Sequence, residues 1–344
     1  MSGQLTRPGT PGRPHPLPLS RGERGDKEAP SRGERGGGSP SGQPRRAGVI
    51  GWPLGHSISP RFQQPAFDAL GLPVTYGALP VAPADLEGFI TGLREAVDGA
   101  PPWLGVNVTI PHKEAVSHLV DDVTDEARLI GAVNTVICEG RRLIGHNTDA
   151  HGFMQGLRDV GVDPTRMPAL VIGAGGAARA VAVALLRAGV VELAIANRSP
   201  ERAESLCWQL QAAFPSARLK PLPLDAGVLR VRLLPAVLLV NTTVLGMAMG
   251  AAPGESPVPD DAIGDRHVVY DLVYNPARTP LLHAAAAAGA TCIEGLTMLV
   301  HQGAASFERW TGQVPPIDVM MDAARRALGL APARPTAPST LDRA

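Results

Sequence analysis

The glycine run Gly173-Ala174-Gly175-Gly176-Ala177-Ala178 stands between an apolar segment, residues 169–172, and an Ala- and Leu-rich stretch, residues 176–188. A strand that stops at a glycine and resumes as a helix is the turn with which dinucleotide-binding sheets hold a pyrophosphate. Gly173 would end the strand, Gly175 would let the backbone approach the phosphates, and Ala178 would permit close helix–strand packing. Gly176 and Ala177 open the helix, whose free N–H groups would face the anion. The run alone could be a tight turn, and its flanks make the nucleotide reading the better one. It begins far into the chain, so the nucleotide domain has a substantial partner, which should hold the substrate.

The chain has 344 residues, 44% of them hydrophobic, enough for about two domains. Residues 1–46 differ from the rest: they hold ten Gly, eight Pro and no Phe, Trp or Tyr. Such a segment buries too little to offset the entropy of ordering it, so a disordered tail is expected there, and another over 331–344. Within the first tail Ser20-Arg21-Gly22-Glu23-Arg24-Gly25 recurs as Ser31-Arg32-Gly33-Glu34-Arg35-Gly36. Two charged, Gly-rich copies do not make a packed repeat.

Beyond residue 46 the chain carries 23 basic against 28 acidic groups, a formal net charge of −5, which is not a nucleic-acid-binding balance. Cys138, Cys207 and Cys292 are odd in number and widely spaced, which suits a reducing interior and offers no paired metal-ligand spacing. The most apolar stretch, near residues 237–249, contains Asn241 and two threonines and is short of a membrane span. A soluble cytoplasmic protein is expected, with a small-molecule substrate and no metal, as monomer or homodimer.

Patterning predicts two α/β domains flanking a cleft, the second with a Rossmann-type parallel sheet. In the first, strands are expected at 47–50, 74–79, 104–110, 134–137 and 143–145. Helices are expected from Ser59 and Pro60, read as cap and first helical residue, towards Leu70, with Pro65 weakening the middle; over 84–97, where Leu86, Phe89, Ile90, Leu93 and Val97 repeat at helical spacing; from Pro111; and near 125–129. A further helix starts at Thr148 or Asp149. In the second, strands at 169–172, 191–196, 219–222, 237–240, 268–271 and 292–294 alternate with helices at 176–188, 200–214 and 281–288. A helix from Thr297 to Trp310 should cross back to the first domain. The domains are therefore placed at 47–148 plus 297–330, binding substrate, and 149–296, binding the nucleotide.

An NAD site usually carries an acidic residue at the end of the second strand, whereas this chain has Asn197-Arg198-Ser199 there and Arg202 just beyond. An arginine fork suits a 2′-phosphate, which favours NADP. On the other side of the cleft, Asn107 and Thr109 share one strand face, with Val108 and Ile110 expected to face the core. Lys113 follows at a helix start, where the dipole disfavours a cation. Brought against Asp149 from another strand-to-helix turn, it would form a charge-assisted pair able to orient a hydroxyl and manage its proton. Both have bland readings, a solvated lysine and a helix cap. His112 reads as a packing residue, and His146 is ambiguous.

The ordered motifs Gly55-His56-Ser57-Ile58-Ser59-Pro60, Asn107 to Lys113, Gly131-Ala132-Val133-Asn134-Thr135, Asn147-Thr148-Asp149, the glycine run, Asn197-Arg198-Ser199, Asp271-Leu272-Val273-Tyr274-Asn275-Pro276 and Met298-Leu299-Val300-His301-Gln302 together resemble the shikimate dehydrogenase family. The resemblance implies reversible NADPH-dependent reduction of 3-dehydroshikimate to shikimate, in aromatic amino-acid biosynthesis. It implies a catalytic pair at Lys113 and Asp149, carboxylate binding by Ser57 and Ser59 helped by Tyr274, and ring-hydroxyl contacts from Thr109, Asn134 and Gln302. It also puts Thr243 and Met298 at the cofactor.

Two hydroxyls beside a helix start suit a carboxylate independently of the resemblance, but residue chemistry alone does not choose the ring. A quinate/shikimate dehydrogenase of broader range and a folate-linked dehydrogenase share parts of this pattern, and so does a non-catalytic NADP-binding regulator. The chain departs from the family at Thr242 and Val244, where alanine and serine are common, which puts nicotinamide-side hydrogen bonding in question.

Overall fold

A computed structural model describes residues 43–332 other than His56 and residues 96–99. Most of the expected N-terminal tail, the C-terminal tail beyond residue 332, and Val97 fall outside the described residues. The tail expectation is corrected at its inner end, because β1 (Arg45–Gly51) already includes Arg45 and Arg46. The Arg46 guanidinium lies 4.4 Å from the centroid of the Trp103 ring and its Nε donates to the Pro101 carbonyl at 2.6 Å, which holds the strand's start in place.

The first sheet adds β2 (Val74–Pro80), β3 (Trp103–Val108), β4 (Asp122–Val123), β5 (Thr135–Glu139) and β6 (Arg142–His146), in the order β2-β1-β3-β5-β6-β4. It is mixed: β1 runs parallel to β2 and β3, while β5 runs antiparallel to β3 and β6. Helix α1 (Ser59–Ala69) continues through Pro65, and Ile58 rather than Ser59 is its cap. Helix α2 (Leu86–Gly92) stops short of the expected 97, and a tight turn in which Leu93 N–H bonds back to Phe89 and Ile90 follows Gly92. Helix α3 (Lys113–Val116) is a single turn that starts at Lys113, not at Pro111, because His112 N–H first closes a turn onto the Thr109 carbonyl. Helix α4 (Asp125–Ile130) is capped by Thr124.

After α5 (Asp149–Asp159) comes a second sheet. Its strands are β7 (Ala169–Ile172), β8 (Glu192–Asn197), β9 (Arg218–Pro223), β10 (Leu238–Asn241), β11 (Val268–Asp271) and β12 (Thr291–Glu294). All pair in parallel, in the order β12-β11-β10-β7-β8-β9. Numbered from β7, this is the doubly wound order in which the strand sequence reverses between the first and fourth strands, so the ligand crevice belongs at the carboxyl ends of β7 and β10. Strands buried on both faces explain the near-continuous apolar runs at 169–172 and 238–240. The sheet is flanked by α6 (Gly176–Ala188), α7 (Pro200–Ala213), α8 (Ala226–Arg232) and α9 (Pro280–Ala287). Patterning does not predict α8; the Asp225 carboxylate caps it by accepting from Val228 N–H at 3.0 Å.

Helix α10 (Gly295–Thr311) starts two residues before the expected Thr297, and α11 (Ile317–Ala327) follows. Leu296, Val300, Phe307 and Trp310 of α10 enter the core around β1 and α1, whereas Met298 enters the core of the second sheet. One helix is thus built into both domains, as the expected crossing requires.

Candidate functional site

The carboxyl ends of β1 and β3, the first turns of α3 and α5, and the upper half of α10 surround a cavity of about 420 Å³ that opens onto the loops after β10 and β11. Ser57, Ser59, Asn107, Thr109, Lys113, Asp149, Tyr274 and Gln302 line it, and Ala177, Thr242, Thr243, Val244, Met247 and Met298 are also in its wall.

The centre is an ion pair. Lys113 Nζ lies 2.6 Å from Asp149 Oδ2, and the aspartate side chain is only 4% exposed. A buried carboxylate needs its other oxygen satisfied, and Asn134 Nδ2 donates to Asp149 Oδ1 at 2.8 Å. The same amide nitrogen reaches Thr148 Oγ1 at 2.8 Å and Gln302 Oε1 at 3.2 Å. Asn134 Oδ1 accepts from Thr148 N–H at 2.7 Å, and Asn147 Oδ1 accepts from Asp149 N–H at 3.0 Å. Asn134 itself is buried behind the cavity wall and touches the chemistry through Asp149 and Gln302.

At the α1 end of the cavity Ser57 Oγ donates to Ser59 Oγ at 3.2 Å and accepts from Ser59 N–H at 3.3 Å, so the two hydroxyls converge at a helix start. Burial pushes the Tyr274 phenol up, and the Ile58 backbone beside it pulls the other way, which sets the phenol next to the serine loop. Thr109 lines the cavity as expected from its strand face, but Ile110 does not enter the core. β3 ends at Val108, and Ile110 is 60% exposed at the cavity.

His112 is buried with Nε2 2.7 Å from the Val81 carbonyl, which is a packing contact. His146 lies outside the cavity lining, and burial, with Arg309 adding to it, lowers its pKa to about 4.

The glycine run has the geometry that a nucleotide needs. Gly173 has φ +113°, and a side chain there would meet Thr242 Oγ1 at 2.4 Å. Gly175 caps α6 and has open space where its Cβ would be, which leaves the first-turn N–H groups free to meet phosphates. Gly176 lies against Lys113, 3.3 Å from its Cβ to where a Cβ would be, so the glycine turn and the lysine share a wall. At the end of β8, Asn197 Nδ2 donates to the Ser199 carbonyl at 2.9 Å, and Arg198 and Arg202 are exposed, as arginines reaching for an external phosphate would be. These four residues are not in the cavity lining.

Sequence reasoning missed two organising residues. Asp271, fully buried at the end of β11, accepts from Asn241 Nδ2 at 2.9 Å, Val273 N–H at 3.0 Å and Thr279 Oγ1 at 2.6 Å. Burial raises its pKa to about 6. Asn241 in turn accepts from Thr243 N–H at 3.0 Å and its hydroxyl at 2.8 Å, so one polar chain shapes the loops that carry Thr243 and Tyr274. The signals in the sequence were a polar residue ending each of two apolar strands and the place of Asp271 at the head of one of the ordered motifs. The extra hydroxyl of Thr242 donates to the Ile172 carbonyl at 2.7 Å, and Val244 presents an apolar side chain to the cavity.

A doubly wound parallel sheet with a glycine turn, facing a second α/β domain across a cavity that holds a lysine–carboxylate pair, defines the class of two-domain dinucleotide-dependent oxidoreductases. Residues 49–136 match the family described as shikimate dehydrogenase substrate binding domain, residues 160–224 that of shikimate / quinate 5-dehydrogenase, and residues 295–325 that of shikimate 5′-dehydrogenase C-terminal domain. The shikimate dehydrogenase (NADP(+)) of Symbiobacterium thermophilum is 46% identical over 285 residues, 83% of this chain and 95% of the relative. That of Salinibacter ruber is 46% identical over 282 residues, 80% and 95% of the two chains. The crystal structure of shikimate 5-dehydrogenase from Thermus thermophilus in complex with NADP(H) and shikimate superposes with a TM-score of 0.72 at 40% identity, covering 82% of this chain and 99% of that one. The chain belongs to the shikimate dehydrogenase family.

Proposed function

We propose that Lys113 and Asp149 carry out the proton chemistry of an NADPH-dependent reduction of 3-dehydroshikimate to shikimate, a reversible step of aromatic amino-acid biosynthesis. The observation that carries the reading is the 2.6 Å ion pair, buried on its aspartate side, which shares one cavity with the Ser57–Ser59 hydroxyls and with Ala177 of the glycine turn. The relative from Thermus thermophilus was solved with NADP(H) and shikimate.

Bound NADPH supplies a hydride to the C3 carbonyl carbon. Lys113 Nζ faces the oxygen on which negative charge grows, stabilises it more in the transition state than in the ground state, and gives it the proton that completes the alcohol. Asp149 aims the lysine through the 2.6 Å contact, and its remaining oxygen is held by Asn134. Ser57, Ser59 and Tyr274 take the substrate carboxylate, a neutral set of donors at a helix start. Thr109 and Gln302 border the ring hydroxyls, and Asn134, behind the wall, holds Asp149 and Gln302 in place. Gly173, Gly175, Gly176 and Ala177 would hold the phosphates, Asn197, Arg198, Ser199 and Arg202 the 2′-phosphate, and Thr243 and Met298 the nicotinamide end.

The domain reading supports this division of labour. Residues 47–148 with 297–330 form the substrate-binding catalytic domain and 149–296 the NADP-binding one, and Phe153 and Leu157 of α5 are in the second sheet's core. No helix among the described residues is long and apolar enough to cross a membrane. With three free cysteines, two of them buried, the reading extends to a cytoplasmic enzyme, monomeric or homodimeric.

Absorbance of NADPH, followed with 3-dehydroshikimate and in reverse with shikimate and quinate, tests the reading. Oxidation with 3-dehydroshikimate and a strong preference for shikimate over quinate are expected; equal or better turnover of quinate overturns the substrate assignment. Arg198→Ala is expected to weaken NADPH binding about tenfold or more with NADH little changed, since a charge-assisted contact to phosphate is worth about 1.5–3 kcal/mol. Equal losses for both cofactors, read by fluorescence titration, count against 2′-phosphate recognition.

A further inference from the structure

Glu114 follows Lys113 in α3 but serves the other side of the seam between the domains. Its Oε1 lies 3.8 Å from Arg202 Nη2 on α7 and 4.0 Å from Arg179 Nε on α6. Arg179 is fixed: its Nη1 donates to Gln209 Oε1 at 2.7 Å, and its buried Nε has no hydrogen-bond partner, leaving the Glu114 carboxylate as the charge it faces. A second pair across the same seam, Arg187 Nη1 to Glu126 Oε1 at 3.0 Å, ties α6 to α4. Glu114 therefore stands at the edge of the proposed 2′-phosphate site between Arg179, whose side chain is 17% exposed, and Arg202, which is 60% exposed and can turn to a phosphate.

We propose that Glu114 tunes cofactor selectivity by competing with the 2′-phosphate for Arg202. The inference rests on the reading of Arg202 as a phosphate ligand. A charge-assisted hydrogen bond is made at about 2.7–2.9 Å, so a pair at 3.8 Å is loose and a phosphate displaces it. Displacement leaves the carboxylate within a Debye length of about 10 Å of a second anion, and both effects weaken NADPH while a free ribose hydroxyl feels neither. The carboxylate thus holds NADPH affinity below what two arginines alone would give.

The test is titration of the full-length protein with NADPH and with NADH, read by nucleotide fluorescence at low salt, for wild type and Glu114→Gln. NADPH is expected to bind roughly threefold to fivefold tighter to the variant, the size of an exposed ion pair, with NADH unchanged. The gain should shrink at roughly 0.5 M salt and be smaller in an Arg202→Ala background, where only the repulsion between carboxylate and phosphate remains to be relieved. An unchanged or weaker NADPH affinity, or the same change for both cofactors, overturns the proposal. If Arg202→Ala alone leaves the NADPH-to-NADH ratio intact, the phosphate reading of Arg202 falls and this inference with it. If that ratio collapses but Glu114→Gln is silent, only the role of Glu114 falls.

Discussion

Lys113→Ala is expected to lower kcat for 3-dehydroshikimate reduction by about a thousandfold, with KM for the acid changed far less. A positioned proton donor contributes typically about 10²–10⁴ in rate, and the ammonium acts where charge develops, so its removal is felt in the transition state. A second loss adds to the first. Asp149, 4% exposed, would keep its bond from Asn134 but lose its cation at 2.6 Å, leaving a buried carboxylate uncompensated next to the substrate. The hydroxyls proposed for the carboxylate, at Ser57 and Ser59, are in the loop before α1 and at its start and bond to each other at 3.2 Å, which is why acid affinity should survive. Steady-state kinetics at saturating NADPH, with nucleotide titration to show that the variant is folded and loaded, reads both parameters. A variant that keeps nearly all its kcat removes Lys113 from the chemistry.

How much of this site was legible beforehand depends on whether a residue's role is local. The glycine turn was legible because strand, turn and helix are contiguous, and Gly176–Ala188 starts and ends where composition alone put it. The Lys113–Asp149 contact joins residues 36 positions apart, and physical reasoning could only offer it beside bland alternatives; the run of ordered motifs chose between them. The Asp271–Asn241–Thr243 chain was not legible, since Asp271 and Asn241 each read alone as a polar residue ending a strand, and the bond that joins them comes from another strand. Ile110 was misread because period-two alternation was extended past Val108, where the chain leaves the sheet. The start of α3 was misjudged for a related reason: Pro111 suits a first helical turn, but the Thr109–His112 turn delays the helix.

Gly105→Ala should destabilise the fold by about 3 kcal/mol or more, although residue 105 is outside the cavity lining. A Cβ there would lie 2.0 Å from the Val136 carbonyl oxygen and 2.4 Å from Trp310 Nε1. Neither neighbour can give way cheaply. The carbonyl belongs to β5, paired with β3 through Gly105 and Ile137, and the indole donates to that same carbonyl at 3.0 Å from the last turns of α10. To admit a methyl group, the β3–β5 ladder must open or α10 must lift. Either movement reaches the site, because β3 leads to Asn107 and Thr109, and α10 carries Met298 and Gln302 on its upper turns. Urea unfolding of the variant measures the first effect, and KM for the acid against that of wild type measures the second. Loss of stability should come together with weakened substrate binding. A variant within about 1 kcal/mol of wild type would mean that the α10–β5 contact at Trp310 yields, and that the crossing helix is held by its apolar face alone.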